Sequence, residues 1–111
     1  MSFFSRAGGY PAHIHDNSTG IWYIAAAFDN AVGPGQPPTQ DVLILRTNAG
    51  GATLRWADGT AEKVVVSATT PAGAPSLSQN HYDPEQSLAL LHGARRFTGR
   101  QGGETWQDVT D

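Results

Sequence analysis

At 111 residues the chain has the length of one domain with one modest core. Its net charge is −3, and its seven basic residues cluster only at Arg95, Arg96 and Arg100. That excludes the basic stripe of a nucleic-acid binder. The absence of cysteine excludes a disulfide framework, a thiolate zinc site and a Cys nucleophile.

Hydrophobic residues form 39% of the chain and fall in short runs, as in a folded globule. Thirteen Gly and seven Pro imply many loops. No stretch approaches the roughly 18 apolar residues of a membrane helix, and "MSFFSRAGGYP" lacks the charge-then-apolar pattern of a signal peptide. A cytoplasmic or virion location is therefore expected, with no membrane partner.

Residues 1–20 show little periodicity and read as an N-terminal arm, carrying Phe3, Phe4, Tyr10 and Ile14. Residues 21–111 read as a single globular β-rich domain. "IWYIAAAF", 21–28, is uncharged and apolar on both alternating faces, which fits a central strand covered on both sides. Residues 29–41 form a Pro/Gly-rich loop.

Residues 42–67 hold three β-rich runs: "VLILRT", "ATLRWA" and "TAEKVVVS". Asp58-Gly59 signals a tight hairpin between the second and third. That turn pairs Leu54 with Lys63 and Arg55 with Glu62, an opposite-charge pair worth about 0.2–1 kcal/mol. A loop at 48–51 pairs Leu45 with Leu54 and Leu43 with Trp56. One face then carries Leu43, Leu45, Leu54, Trp56 and Val65.

After a loop at 68–80, "DPEQSLALLHGARRFTG" predicts a helix over about 84–98. Asp83 is the N-cap, Pro84 stands at N1, and Gln86 completes a capping box. Leu88, Leu91 and Ala94 share one face, and Gly99 stops the helix. "ETWQDV" is a short final strand carrying Trp106. The expected fold is α+β and β-rich: an antiparallel meander sheet or partly open small barrel with one C-terminal α-helix.

Three groups of residues bear on function. His13 and His15 point the same way from an extended segment and could share a metal ion, with Asp16 or His81 adding a ligand. "GGYPAHIH" resembles the His-x-His of metal-binding cupins. That resemblance implies a divalent transition metal and a metal-dependent enzyme. The cupin pattern also carries a Glu a few residues on, and residues 16–28 contain none. The plainer alternative is a pair of solvated histidines.

Gly20-x-Trp22-Tyr23 resembles the opening strand of lipocalins, which implies a barrel binding a small molecule or carbohydrate. The alternative is an ordinary core strand. His81-Tyr82 resembles the catalytic His-Tyr of some Cys-dependent peptidases, but the Cys is absent. The aromatics Tyr10, Trp22, Tyr23, Tyr82 and Trp106 are candidates for ligand binding or an interface.

No convergent catalytic set or phosphate loop appears. The leading expectation is a non-enzymatic interaction or assembly module, such as a small virion or oligomer structural protein. Its partner is a protein, the chain itself or an assembly, and no cofactor is needed. A ligand-binding barrel and a metal-dependent enzyme using His13, His15 and His81 are the alternatives.

Overall fold

The structure is a computed structural model and describes residues 10–30 and 32–111. Phe3 and Phe4 lie outside the described residues.

The uncharged run after Gly20 forms β2 (Trp22–Asn30), with β1 (Ala12–His15) on one side and β3 (Thr39–Thr47) on the other. Both pairings are antiparallel. Residues 12–15, in the stretch read as an arm, are thus a strand of the sheet. Tyr23, Ala25 and Ala27 point to one side of β2, and Ala26 and Phe28 to the other; all five are buried. A strand buried on both faces needs small or apolar residues at every position, which this run supplies.

On the far side of β3 lie two short strands placed end to end. β4 (Thr53–Leu54) pairs with Arg46 and Thr47, and β5 (Lys63–Ala68) pairs with residues 40–44. The expected three-strand meander is therefore replaced by one interrupted edge strand. Asp58-Gly59 does make a tight turn: the Gly59 amide donates to the Trp56 carbonyl at 2.8 Å, and the Trp56 amide to the Thr60 carbonyl at 2.8 Å. No ladder extends from it. Residues 55–62 loop out instead, and Arg55 donates to the Gly59 carbonyl at 3.0 Å.

The excursion has a purpose in packing, because it turns the Trp56 ring into the core, where it is 2% exposed. The register also moves by one residue, so that Leu54 faces Arg46 rather than Leu45. A one-residue slip exchanges the faces of a strand. Leu43 and Leu45 consequently sit on the outer face of the sheet, while Val42 and Ile44 point inward with Trp56.

The second sheet is β6 (Ser76–Gln79), β7 (Leu88–His92), β8 (Arg95–Arg100) and β9 (Thr105–Asp108), antiparallel and in chain order. The helix expected over 84–98 is not present; that segment is the β7–β8 hairpin. His92 pairs with Arg95, leaving Gly93 and Ala94 as a two-residue turn. Gly93 has φ +60 and Ala94 is not in the left-handed region, the pattern of a II′ hairpin turn.

Alternation explains the outcome. Leu88, Leu90 and His92 are 0–2% exposed, and Ala89 and Leu91 face out. The capping residues keep a smaller role: the Asp83 carboxylate accepts the Glu85 amide at 3.0 Å in a turn that ends at once.

The two sheets pack face to face as a sandwich. Tyr23, Ala25, Ala27, Val42, Ile44, Trp56 and Val66 of the first meet Leu88, Leu90 and Phe97 of the second. The space beside Ala25 and Ala27, where a barrel would hold its ligand, belongs to this core.

Two polar braces tie the sheets. The Arg46 guanidinium donates to the Glu104 carboxylate at 3.1 Å and lies 3.9 Å from the centroid of the Trp56 ring. The Glu104 carboxylate also accepts the Ala57 amide at 3.1 and 3.2 Å. In the second brace, His92 Nε2 meets Gln40 Oε1 at 2.6 Å. The Gln40 Nε2 donates to Asp29 at 2.8 Å, which fixes the amide's orientation, so the carbonyl oxygen accepts from His92.

Candidate binding surfaces

Because β1 pairs with β2 in the register His13↔Ile24 and His15↔Trp22, both imidazoles project to the outer face beside the indole. The His15 ring centroid is 4.6 Å from that of Trp22, and the His13 centroid 5.8 Å. His15 Nδ1 is 2.9 Å from the Asn17 side-chain oxygen. The pair shares one face, as its spacing requires, and that face presents an aromatic ring between the histidines. His81 lies in the exposed connection between β6 and β7. Among the described residues no group of three His, Asp or Glu is placed to hold a metal ion.

Tyr10, Pro11, His13, Trp22 and Ile24 line a groove of about 410 Å³ on this face. Tyr10 is 91% exposed and Trp22 38%. Along β2 and β3 beyond the groove, Ala26, Phe28 and Leu45 are buried and Leu43 is half-buried, while Val64 of β5 is exposed. Single exposed apolar residues are ordinary; the groove gathers Tyr10, Pro11, Trp22 and Ile24 at one place.

The other aromatics are distributed differently. Tyr82 is fully exposed in the β6–β7 connection. Trp106 is half-buried on β9; its ring covers Gly99 of β8, and its indole N–H donates to the Gly103 carbonyl at 2.8 Å. Gly99 is required there, since a Cβ would lie 2.7 Å from the ring.

Tyr23 is buried on the inner face, and its hydroxyl lies near Gly102 at one end of the sandwich. That end holds a cleft of about 300 Å³ between the β1–β2 turn, the β6–β7 connection and the β8–β9 turn. Its walls include Asp16, Ser18, Thr19, Gln79, Glu85 and Gln86.

Asp16 is 6% exposed. Burial pushes its carboxyl upward, but hydrogen bonds from the Ser18 side chain, Gln79, the Ser18 amide and Thr19 outweigh this and hold it below the usual carboxylate range. Burial raises the Tyr23 hydroxyl, with the Asp16 charge adding to the shift. In the sequence "DNSTG" is legible as a turn. Nothing in it announces that Gln79, some sixty residues on, closes over the same carboxylate.

No protein-family model matches the chain, and no curated protein and no solved structure is significantly similar. No helix among the described residues is long and apolar enough to cross a membrane.

Proposed function

We propose that the chain is a non-enzymatic assembly module that associates with a second copy of itself through the groove on the outer face of its five-stranded sheet. The observation that carries this reading is the groove's lining. Tyr10, Pro11, Trp22 and Ile24 offer planar and apolar surface, and only the His13 imidazole and the ends of the tyrosine and indole can hydrogen-bond. Such a surface suits an uncharged peptide segment better than a sugar, whose hydroxyls need several polar partners.

Aromatic grooves of this kind accept proline-rich extended segments, which are ordered before binding and lose little entropy. The chain exposes a proline-rich segment itself: "GPGQPP", 33–38, uncharged and exposed throughout, in which a tight turn at 33–36, closed by the Gln36 amide donating to the Gly33 carbonyl at 3.1 Å, presents Pro37-Pro38. These loop residues are not among the groove's walls. A groove on one surface and its occupant on another form a head-to-tail contact, which builds rings or filaments. That geometry fits a structural role in an oligomer or virion.

Light scattering over a concentration series tests the reading. The expected result is mass that grows with concentration and is lost in both Trp22→Ala and the Pro37→Ala, Pro38→Ala double variant. A strictly monomeric wild-type chain, or association that survives Trp22→Ala in a folded variant, would overturn it.

A further inference from the structure

We infer that the outer face of the five-stranded sheet is the docking site of the chain's own first nine residues, with the Phe3-Phe4 pair as the anchor. The burial of that face carries the inference. Ala26 is 0% exposed, and Phe28 and Leu45 are 7% exposed, with Leu43 half-buried beside them. These residues point away from the second sheet. Ala26 and Phe28 alternate with Ala25 and Ala27, which belong to the inner core. Leu43 and Leu45 stand opposite Ala26 and Ile24 in the register of β2 with β3. Side chains on one open face of a ladder shield each other's flanks but keep their outer ends in water. A leucine and a phenylalanine buried this far therefore lie beneath a further layer.

No described segment supplies that layer. The cluster draws only on β2 and β3. Residues 32–38 are exposed throughout, and Tyr10 is 91% exposed. The excursion at 55–62 and the connection at 69–75 serve the other side: Trp56 lies in the inner core, and the Ala72 amide donates to Gln40 Oε1 at 3.0 Å. The burial arises within one chain, so a neighbouring copy is not needed to produce it.

Position, reach and composition single out residues 1–9. The antiparallel pairing sets Ala12 opposite Ala25, so the chain upstream of Ala12 heads along β2 toward Ala26 and Phe28. Phe4 precedes Tyr10 by six residues, a span of up to about 20 Å. Neighbouring strands lie about 4.8 Å apart, so this length crosses β2 and β3 with some to spare. "MSFFSRAGG" places two phenylalanines within that range, and such a ring buries on the order of 150–250 Å². Gly8-Gly9, directly before Tyr10, admits the backbone angles of a sharp reversal. The segment holds no acid and one base, Arg6, while Asp41 stands on the same outer face opposite Phe28. Segment and site are thus complementary in charge as well as in apolar surface.

The test uses the full chain. It contains no cysteine, so Ser2→Cys gives a single attachment point for a nitroxide. Amide-resolved NMR then reads proximity as loss of signal. The expected loss is centred on residues 24–28, 41–45 and 64–66 and is restored when the nitroxide is reduced. Ala89 and Thr98, paired on the outer face of the second sheet, should keep their signals. The Phe3→Ser, Phe4→Ser double variant should abolish the pattern. If that variant does not fold, the labelled parent chain decides alone.

A mixed sample separates the chain's own segment from a neighbour's. One chain carries the isotope without nitroxide, the other the nitroxide without isotope, and no loss is expected. Loss in the mixed sample equal to that in the single chain, loss spread over both sheets, or no loss on the outer face would each overturn the inference. A parallel series carries Trp22→Ala as well, so that self-association through the groove cannot imitate docking. Light scattering remains the readout of the assembly reading, so the two fail separately.

Discussion

Lowering the pH through the mildly acidic range should destabilise the protein through one residue, His92. Its ring is 2% exposed between the sheets. Because Gln40 presents its carbonyl oxygen, His92 Nε2 carries the proton of the neutral ring. A second proton on Nδ1 would place a charge in the core. Burial therefore lowers its proton affinity below the ordinary value of 6.5, and the positive charge of Arg95 adds to the effect.

The unfolded chain then binds the proton more readily than the folded one. Stability is fully present above the unfolded value and is lost as the pH falls below it. Below 6.5 the loss grows by at most about 1.4 kcal/mol per pH unit, and it stops growing once the folded ring titrates. The carboxylates with lowered values, Asp16, Asp58, Asp83 and Asp108, act in a separate window: their contribution is lost only as pH falls below the ordinary 3.8.

The assay is urea unfolding followed by tryptophan fluorescence across the neutral to mildly acidic range. His92→Gln keeps an N–H donor for Gln40 and removes the titration. The variant should lose most of the slope between neutrality and the carboxylate range. A slope equal to that of the wild type in His92→Gln, or stability that rises on mild acidification, would refute the argument.

Gln40→Ala should destabilise by about 2–4 kcal/mol, because His92 Nε2, the Ala72 amide and Asp29 each lose a partner; thermal unfolding measures it. Gly99→Ala forces a Cβ to 2.7 Å from the Trp106 ring and should cost about 1–3 kcal/mol, partly recovered when Trp106→Leu is added. Glu104→Ala removes the acceptor of both Arg46 and the Ala57 amide, so a loss of about 1–3 kcal/mol is expected in the same assay, diminishing little at high salt because Arg46 is mostly buried. Elemental analysis of purified protein should find no stoichiometric transition metal, since His13 and His15 stand against Trp22 and His81 belongs to the β6–β7 connection.

The outer-face groove was partly legible, because His13, His15, Tyr10 and Trp22 all carry recognisable chemistry and the period of two puts the histidines together. What joins them is the pairing of β1 with β2, which no local pattern around residues 10–15 announces. The cleft was less legible still. Asp16, Gln79 and Gly102 are brought together from three separate turns, and a contact between distant segments leaves no periodic trace in either.

The predicted helix shows how local signals can agree and still lose. Asp83, Pro84 and Gln86 form a good N-terminal cap, and "LALLH" has ample helix propensity. The alternation of Leu88, Leu90 and His92 was hidden because His92 counts as polar, although it is buried against Gln40.

The sequence by itself determined the β-rich character, the doubly covered strand read over 21–28 and the tight turn at Gly59, whereas the turn at Gly93 was hidden inside the expected helix. Those follow from composition, alternation and the φ values that only Gly adopts without strain. The tertiary structure decided the rest: which of two competing periods residues 88–92 obey, and to which strand β5 pairs. The inner face of the first sheet sets the small Ala25 and Ala27 beside Val42, Ile44 and Val66. A flat sheet bearing Leu88, Leu90 and Phe97 covers such a face more completely than the single apolar stripe of a helix could.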